Sequence, residues 1–163
     1  MKQSRQVIRL IWGLKQSFRN YVEATGGVVS TDHGAERTPD GAFAFASVPG
    51  EILTLDDHGK PQGQGQFRGA VQFQGHGGML SVRLVDPIIE IGDAGGVITV
   101  TGNEPSSRLE IAKLDLTAIT VGDAGEILIP TTLSMEGSYM LDNHYPLGTV
   151  LDPVRLTCAV SGD

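Results

Sequence analysis

The chain has 163 residues, the usual span of one domain, and its 40% hydrophobic content is enough to bury a single core. With 12 basic against 19 acidic residues its formal net charge is −7, which argues against wrapping nucleic acid or adhering to an anionic membrane surface. A single cysteine, Cys158, excludes an intrachain disulfide framework and a cysteine-built metal cage.

The first element in chain order is a helix. Val7, Ile11, Leu14, Phe18, Tyr21 and Val22 recur at steps of three and four and share one face. Arg9, Lys15, Arg19 and Asn20 fall elsewhere, mainly toward solvent. Gly26-Gly27 closes the helix, because glycine accepts the left-handed conformation of a helix end. Tyr21 is thereby placed on or beside the buried stripe. Lys2, Arg5 and Arg9 precede an apolar stretch, Leu10 to Leu14, that is too short for a secretory leader and lacks a cleavage site after it. No apolar run reaches the length of about 18 residues needed to span a bilayer. The sequence as written is expected to stay in the cytoplasm; secretion or a cell-envelope location is the alternative if a leader has been removed.

Beyond residue 27 the period changes from helical to alternating. Ala42 to Ala46 alternates small and aromatic residues, as a strand with a phenylalanine face does. Glu51 to Leu55 is a short strand, and 56–66 is a polar turn or loop. Gln66 to Phe73 alternates again, with Phe67, Gly69, Val71 and Phe73 on one side. Gly75-His76-Gly77-Gly78 interrupts the pattern, and Met79 to Val85 resumes it. The tetrapeptide GDAG occurs at 92–95 and again at 122–125, each time between β-branched runs, as a hairpin tip does. Leu133 to Met140, a turn at Asp142-Asn143-His144 and a strand from Val154 to Val160 complete the chain. With 22 glycines and only 6% aromatics, the expectation is one all-β domain over 1–163. Its architecture is an antiparallel sandwich or barrel of roughly ten strands, with an N-terminal helix and one further short helix at most.

Residues with chemical potential are few. His33 and His58 sit in polar loops and read as solvated turn residues; Asp56-Asp57-His58 is too local to converge on one ion. Asp86, Glu90 and Asp93 lie beside turns and read as solvated carboxylates. Met79 and Cys158 sit in apolar strands and read as core. No nucleophile with its base, phosphate loop or paired zinc histidines occurs. Two positions stand out. Tyr21 ends an apolar helical face, and His76 lies between glycines that allow a bulge or close backbone approach to a flat object. On spacing alone a packed tyrosine and an incidental histidine explain both.

Three segments carry a resemblance. Residues 12–22 (WGLKQSFRNYV), 67–87 (FRGAVQFQGHGGMLSVRLVDP) and 145–153 (YPLGTVLDP) resemble, in order, the opening, central and C-terminal motifs of the HtaA-type haem-binding domains of actinobacteria. The resemblance spans nearly the whole chain. It implies an all-β domain that takes up ferric haem (haem b) without catalysis, for uptake, relay or storage. It also implies Tyr21 as axial iron ligand, His76 as its support and Tyr145 as a second tyrosine of the site. Phe18, Phe73, Gly75 and Gly77 join them as candidate haem contacts, with Phe67, Val71 and Met79 as further candidate wall residues, although plain core explains Phe18, Phe67, Val71, Phe73 and Met79 at least as well. Arg19, Arg68 and Arg83 are the cations nearest the motifs in sequence, although solvated surface arginines explain them equally well. Haem donor or acceptor proteins, and a second copy of the chain, are the candidate partners. The competing functions are a haem-degrading or peroxide-linked enzyme and an interaction module that has lost its ligand.

Overall fold

A computed structural model describes residues 5–50, 52–56, 58–93, 95–102, 107–141 and 144–159. In chain order the first elements are β1 (Arg5–Trp12), α1 (Gln16–Ala24), β2 (Val28–Asp32), β3 (Glu36–Arg37), β4 (Phe43–Ser47), β5 (Thr54–Leu55) and β6 (Pro61–Gln62). Then come β7 (Gln64–Arg68), β8 (Ala70–Gly75), a 3₁₀ turn (His76–Gly78), β9 (Leu80–Val85), β10 (Ile88–Gly92) and β11 (Gly95–Thr101). The last are β12 (Arg108–Leu114), β13 (Thr120–Val121), β14 (Ile127–Leu133), α2 (Met135–Met140) and β15 (Val150–Cys158).

Eight of these strands form a closed antiparallel barrel in the order β4-β7-β10-β11-β12-β14-β15-β1, and β1 pairs back onto β4 to close it. Closure removes the exposed sheet edges that an open sheet would leave. Alternation along the strands fills the core: Leu10, Phe45, Phe67, Ile89, Ile98, Ile129 and Leu156 are each at most 1% exposed. Each such side chain contributes about 1.5–3 kcal/mol on burial. Both GDAG segments are hairpin tips. The first joins β10 to β11, with its Ala94 outside the described residues; the second joins β13 to β14.

A separate three-stranded sheet, β2-β8-β9, stands beside the barrel. The alternating run 66–73 is divided at Gly69, so that β7 belongs to the barrel and β8 to the small sheet. The chain leaves and returns at one point: the Asp86 backbone N–H donates to the Gly69 carbonyl at 2.8 Å, and the Gly69 N–H donates to Asp86 Oδ1 at 3.1 Å. Phe43 of β4, Phe73 of β8 and Phe18 of α1 meet edge to face at 5.7 and 5.1 Å. These contacts join barrel, small sheet and helix into one core.

Three sequence expectations are corrected. The helical spacing from Val7 onward divides into a strand and a later helix. A bulge between Val7 and Arg9 turns Val7 and Leu10 both inward, which imitates a three-residue helical step. Ladders to β4 and β15 outweigh local periodicity there. Leu133 to Met140 is the end of β14 followed by α2, and the last strand, expected from Val154, begins at Val150. Strand structure in 51–55 is confined to Thr54–Leu55, with Glu51 outside the described residues, as are Asp57, Asp142, Asn143 and Val160. Among the described residues no helix is long and apolar enough to cross a membrane.

Candidate functional site

Helix α1 is held by a residue far away in sequence. Lys15 occupies the N-cap without a side-chain bond; Asp152 of β15 does the capping instead, accepting from the Gln16 N–H through Oδ1 at 3.0 Å. Asp152 Oδ2 takes the Arg19 guanidinium at 2.6 Å, and the same Arg19 nitrogen donates to the Gly13 carbonyl at 2.8 Å. The Asp152 carbonyl accepts from Trp12 Nε1 and from the Thr131 hydroxyl, while its N–H donates to the Leu14 carbonyl. Gly13 leaves the room Arg19 needs: a Cβ there would lie 2.2 Å from the guanidinium nitrogen. Arg19 is 5% exposed and is therefore neither the solvated arginine nor the ligand-binding cation the sequence suggested.

With Phe18, Arg19 and Val22 buried, Tyr21 faces outward and is 49% exposed. Its hydroxyl oxygen lies 2.9 Å from His76 Nε2. His76 begins the 3₁₀ turn between β8 and β9, where His76, Gly77 and Gly78 have φ of 51°, 65° and 95°. Three successive left-handed residues are tolerable because two of them are glycines. The turn thus carries the imidazole beyond the strands and back to the helix. What the sequence read as a bulge is a tight turn that aims a side chain.

Tyr21 and His76 line a cavity of about 610 Å³ together with Phe18, Leu80, Met79, His144 and Tyr145. Tyr145 packs edge-on against Phe18 at 6.2 Å, with Lys15 Nζ 5.8 Å above its ring. The Tyr145 carbonyl is fixed by the Ser138 hydroxyl at 2.6 Å. The structure therefore gathers Tyr21, His76, Tyr145 and Phe18 around one space. Gly75 and Gly77 shape the turn rather than line the cavity, and Phe73 is fully buried behind Phe18. Phe67 and Val71 are core. Arg68 is exposed on β7, and Arg83 lines a different groove, beside Tyr139. Met79, which the sequence placed in the core, is 85% exposed and at the cavity rim. His144 is a lining residue that sequence reasoning passed over as a turn residue; its position beside Tyr145 was the available signal.

The residues around the cavity suit a haem. They offer one exposed phenol with an imidazole partner, an apolar wall from Phe18 and Leu80, and a volume within the roughly 300–1,000 Å³ of cofactor pockets. Among the described residues no group of three or more His, Cys, Asp or Glu side chains is placed to hold a bare metal ion.

The family model described as Htaa matches residues 8–157. The chain belongs to the HtaA family. Solved structures with the same fold include two domains of HtaA from Corynebacterium glutamicum. The N-terminal domain has a TM-score of 0.73 at 22% identity, covering 98% of this chain and 100% of that one. The C-terminal domain has a TM-score of 0.72 at 24% identity, covering 94% and 98%. The haem-binding protein HtaB of the same organism has a TM-score of 0.66 at 18% identity, covering 96% and 94%. A search of curated proteins finds no match. The motif residues of this HtaA-family chain fall into two groups: Trp12, Gly13, Arg19 and Asp152 build the clamp on α1, and Phe18, Tyr21, His76 and Tyr145 surround the cavity.

Proposed function

We propose that this protein binds ferric haem b without acting on it, for uptake, relay or storage, with Tyr21 as the axial ligand. The observation that carries the reading is the 2.9 Å contact between Tyr21 Oη and His76 Nε2 in an apolar-walled cavity. HtaB, a solved neighbour, is a haem-binding protein, which supports the same ligand here.

Bound ferric iron would supply the charge that favours a phenolate oxygen. His76, with its proton on Nε2, would donate to that oxygen and fix the direction of its lone pairs. Phe18 and Leu80 give the cavity an apolar wall against which a porphyrin face would pack. An anionic oxygen donor favours ferric over ferrous iron, which suits a carrier better than an electron-transfer protein, where His or Met ligands are usual.

A hemin titration followed by absorbance tests the reading. The expected result is saturable binding with tyrosinate charge-transfer features. Tyr21→Phe keeps the ring and removes only the oxygen, so the fold should persist and those features should vanish. If Tyr21→Phe leaves the spectrum unchanged, the ligand lies elsewhere and the assignment is wrong.

A further inference from the structure

Strand β9 lines two cavities. Leu80 borders the one beside Tyr21, while Ser81 and Arg83, on the other side of the pleat, border a second of about 710 Å³. Helix α2 contributes Tyr139 and Met140 to this second space. That wall is fixed. Gly137 seats α2 on β12, where a Cβ would collide with the Ile111 carbonyl oxygen, and Glu136 Oε1 accepts from the Glu110 N–H at 3.1 Å. Tyr139 is left 63% exposed, its phenol without a partner among the described residues.

Arg83 decides what the second cavity can take. It is exposed, and among the described residues it makes no hydrogen bond or ion pair. The arginines of the smaller cleft beside α1 differ, since Arg19 is paired with Asp152 and Arg155 with Asp40. A further guanidinium stands behind the wall: Arg108 donates to the hydroxyl of Thr101, a lining residue, at 3.2 Å. His33, also lining, lies 3.9 Å from the Asp32 carboxylate, which meets any charge it carries.

We infer that this second cavity binds a small organic monocarboxylate with an aromatic body. The inference is independent of the haem reading. The guanidinium fork of Arg83 matches a carboxylate through two parallel bonds. The Thr101 hydroxyl accepts from Arg108 and so keeps its own proton to donate. Tyr139, Met140 and Leu109 offer the body an aromatic and aliphatic surface. The volume is that of an organic ligand rather than an inorganic anion. Glu136 sets the charge. Its carboxylate lines the same cavity, so a second negative group on the ligand would meet a like charge.

Binding of naphthoate to the full chain, followed by backbone amide NMR shifts, tests this. Saturable shifts should centre on Ser81, Arg83, Thr101 and Tyr139 and leave Tyr21 and His76 unmoved. Arg83→Gln should weaken binding about tenfold, the low end for a hydrogen bond to a charged group, because the site is open to water. Arg83→Lys keeps the charge and loses the fork, so its affinity should fall between the two. Arg83 is exposed, so urea unfolding of both variants should match wild type. Neutral naphthamide should bind wild type as weakly as naphthoate binds Arg83→Gln, and naphthalenedicarboxylate should bind more weakly than naphthoate. Tyr21→Phe should bind naphthoate as wild type does. No saturable shift at millimolar naphthoate, shifts centred on Tyr21 and His76, or unchanged affinity in Arg83→Gln each overturns the inference. Equal affinity for naphthamide overturns the carboxylate, and tighter binding of the dicarboxylate overturns the single charge.

Discussion

Two polar side chains of helix α1, Arg19 and Tyr21, have opposite fates. Arg19 turns inward, is almost fully buried and gives one nitrogen to both Asp152 and the Gly13 carbonyl. Tyr21 turns outward, is half exposed and meets one partner, His76, in a space open to a ligand. The first pair spends its hydrogen-bonding capacity on holding the helix. The second keeps an oxygen lone pair in reserve. A rigid mount and an unsatisfied donor are what a ligand site requires, and here opposite faces of one short helix provide them.

The sharpest way to break this contrast is Asp152→Ala. It leaves the buried Arg19 guanidinium without its counter-charge and uncaps α1. Removing one partner of a buried ion pair costs about 3–5 kcal/mol, and the partial exposure of Asp152 puts the expected loss at the low end. Urea unfolding should show it, and hemin affinity should fall with it, because Tyr21 loses its mount. Tyr21→Phe, by comparison, should move the unfolding midpoint little, since surface substitutions cost about 0.5 kcal/mol or less. Equal destabilisation by the two variants would erase the distinction.

Next in size is His76→Ala. The lost bond is to a charged acceptor, worth roughly 1.5–3 kcal/mol, or about ten- to a hundredfold in hemin affinity. The tyrosinate band should shift but persist under the proposed role, in which His76 supports the oxygen rather than binding iron. Unchanged hemin dissociation would remove that supporting role.

The smallest effect concerns the exposed side of the same helix. Arg37 of β3 grips Glu23 through two bonds, at 2.8 and 3.1 Å, and holds its carboxyl below the ordinary value. A carboxylate lowered on folding stabilises above its unfolded pKa of about 4.3 and ceases to do so as pH falls through the folded value. Glu23→Gln should therefore cost about 0.2–1 kcal/mol at neutral pH, since solvent screens the pair. The cost should disappear below that window in a pH series of thermal melts. A penalty that persists in acid would mean that Glu23 acts through packing.

Much of this arrangement is legible in the sequence, and the rest is hidden for identifiable reasons. Alternation marked β4, β7 and β9, and the two GDAG tips marked hairpins, because hairpins are local and their turn chemistry is written in adjacent residues. Residues 5–12 misled because a bulge gave a strand the inward spacing of a helix. Arg19 misled because its partner lies 133 positions away, and nothing near Arg19 announces a buried acid. Tyr21 and His76 stand out by position, but their role, and Tyr145 altogether, came only through the motifs. Their convergence depends on a left-handed turn and on the packing of α1, neither of which has a periodic signature. His144 escaped because exposure and cavity lining look alike in a polar turn.

The pairing of β1 with β15 has a consequence for how the molecule comes to exist. The barrel's seam joins its first strand to its last, with Leu10 opposite Leu156. Contacts of such sequence separation form late and slow the search for the native state. During synthesis α1 emerges early, but its capping acid, Asp152, lies 136 positions after the Gln16 it caps. Tyr21 is therefore on a helix without its mount until β15 has emerged. A nascent chain stalled before β15 should show no tyrosinate signal with hemin, while the released full chain acquires it at the rate of barrel closure. Hemin capture would then report, in real time, the closing of the seam.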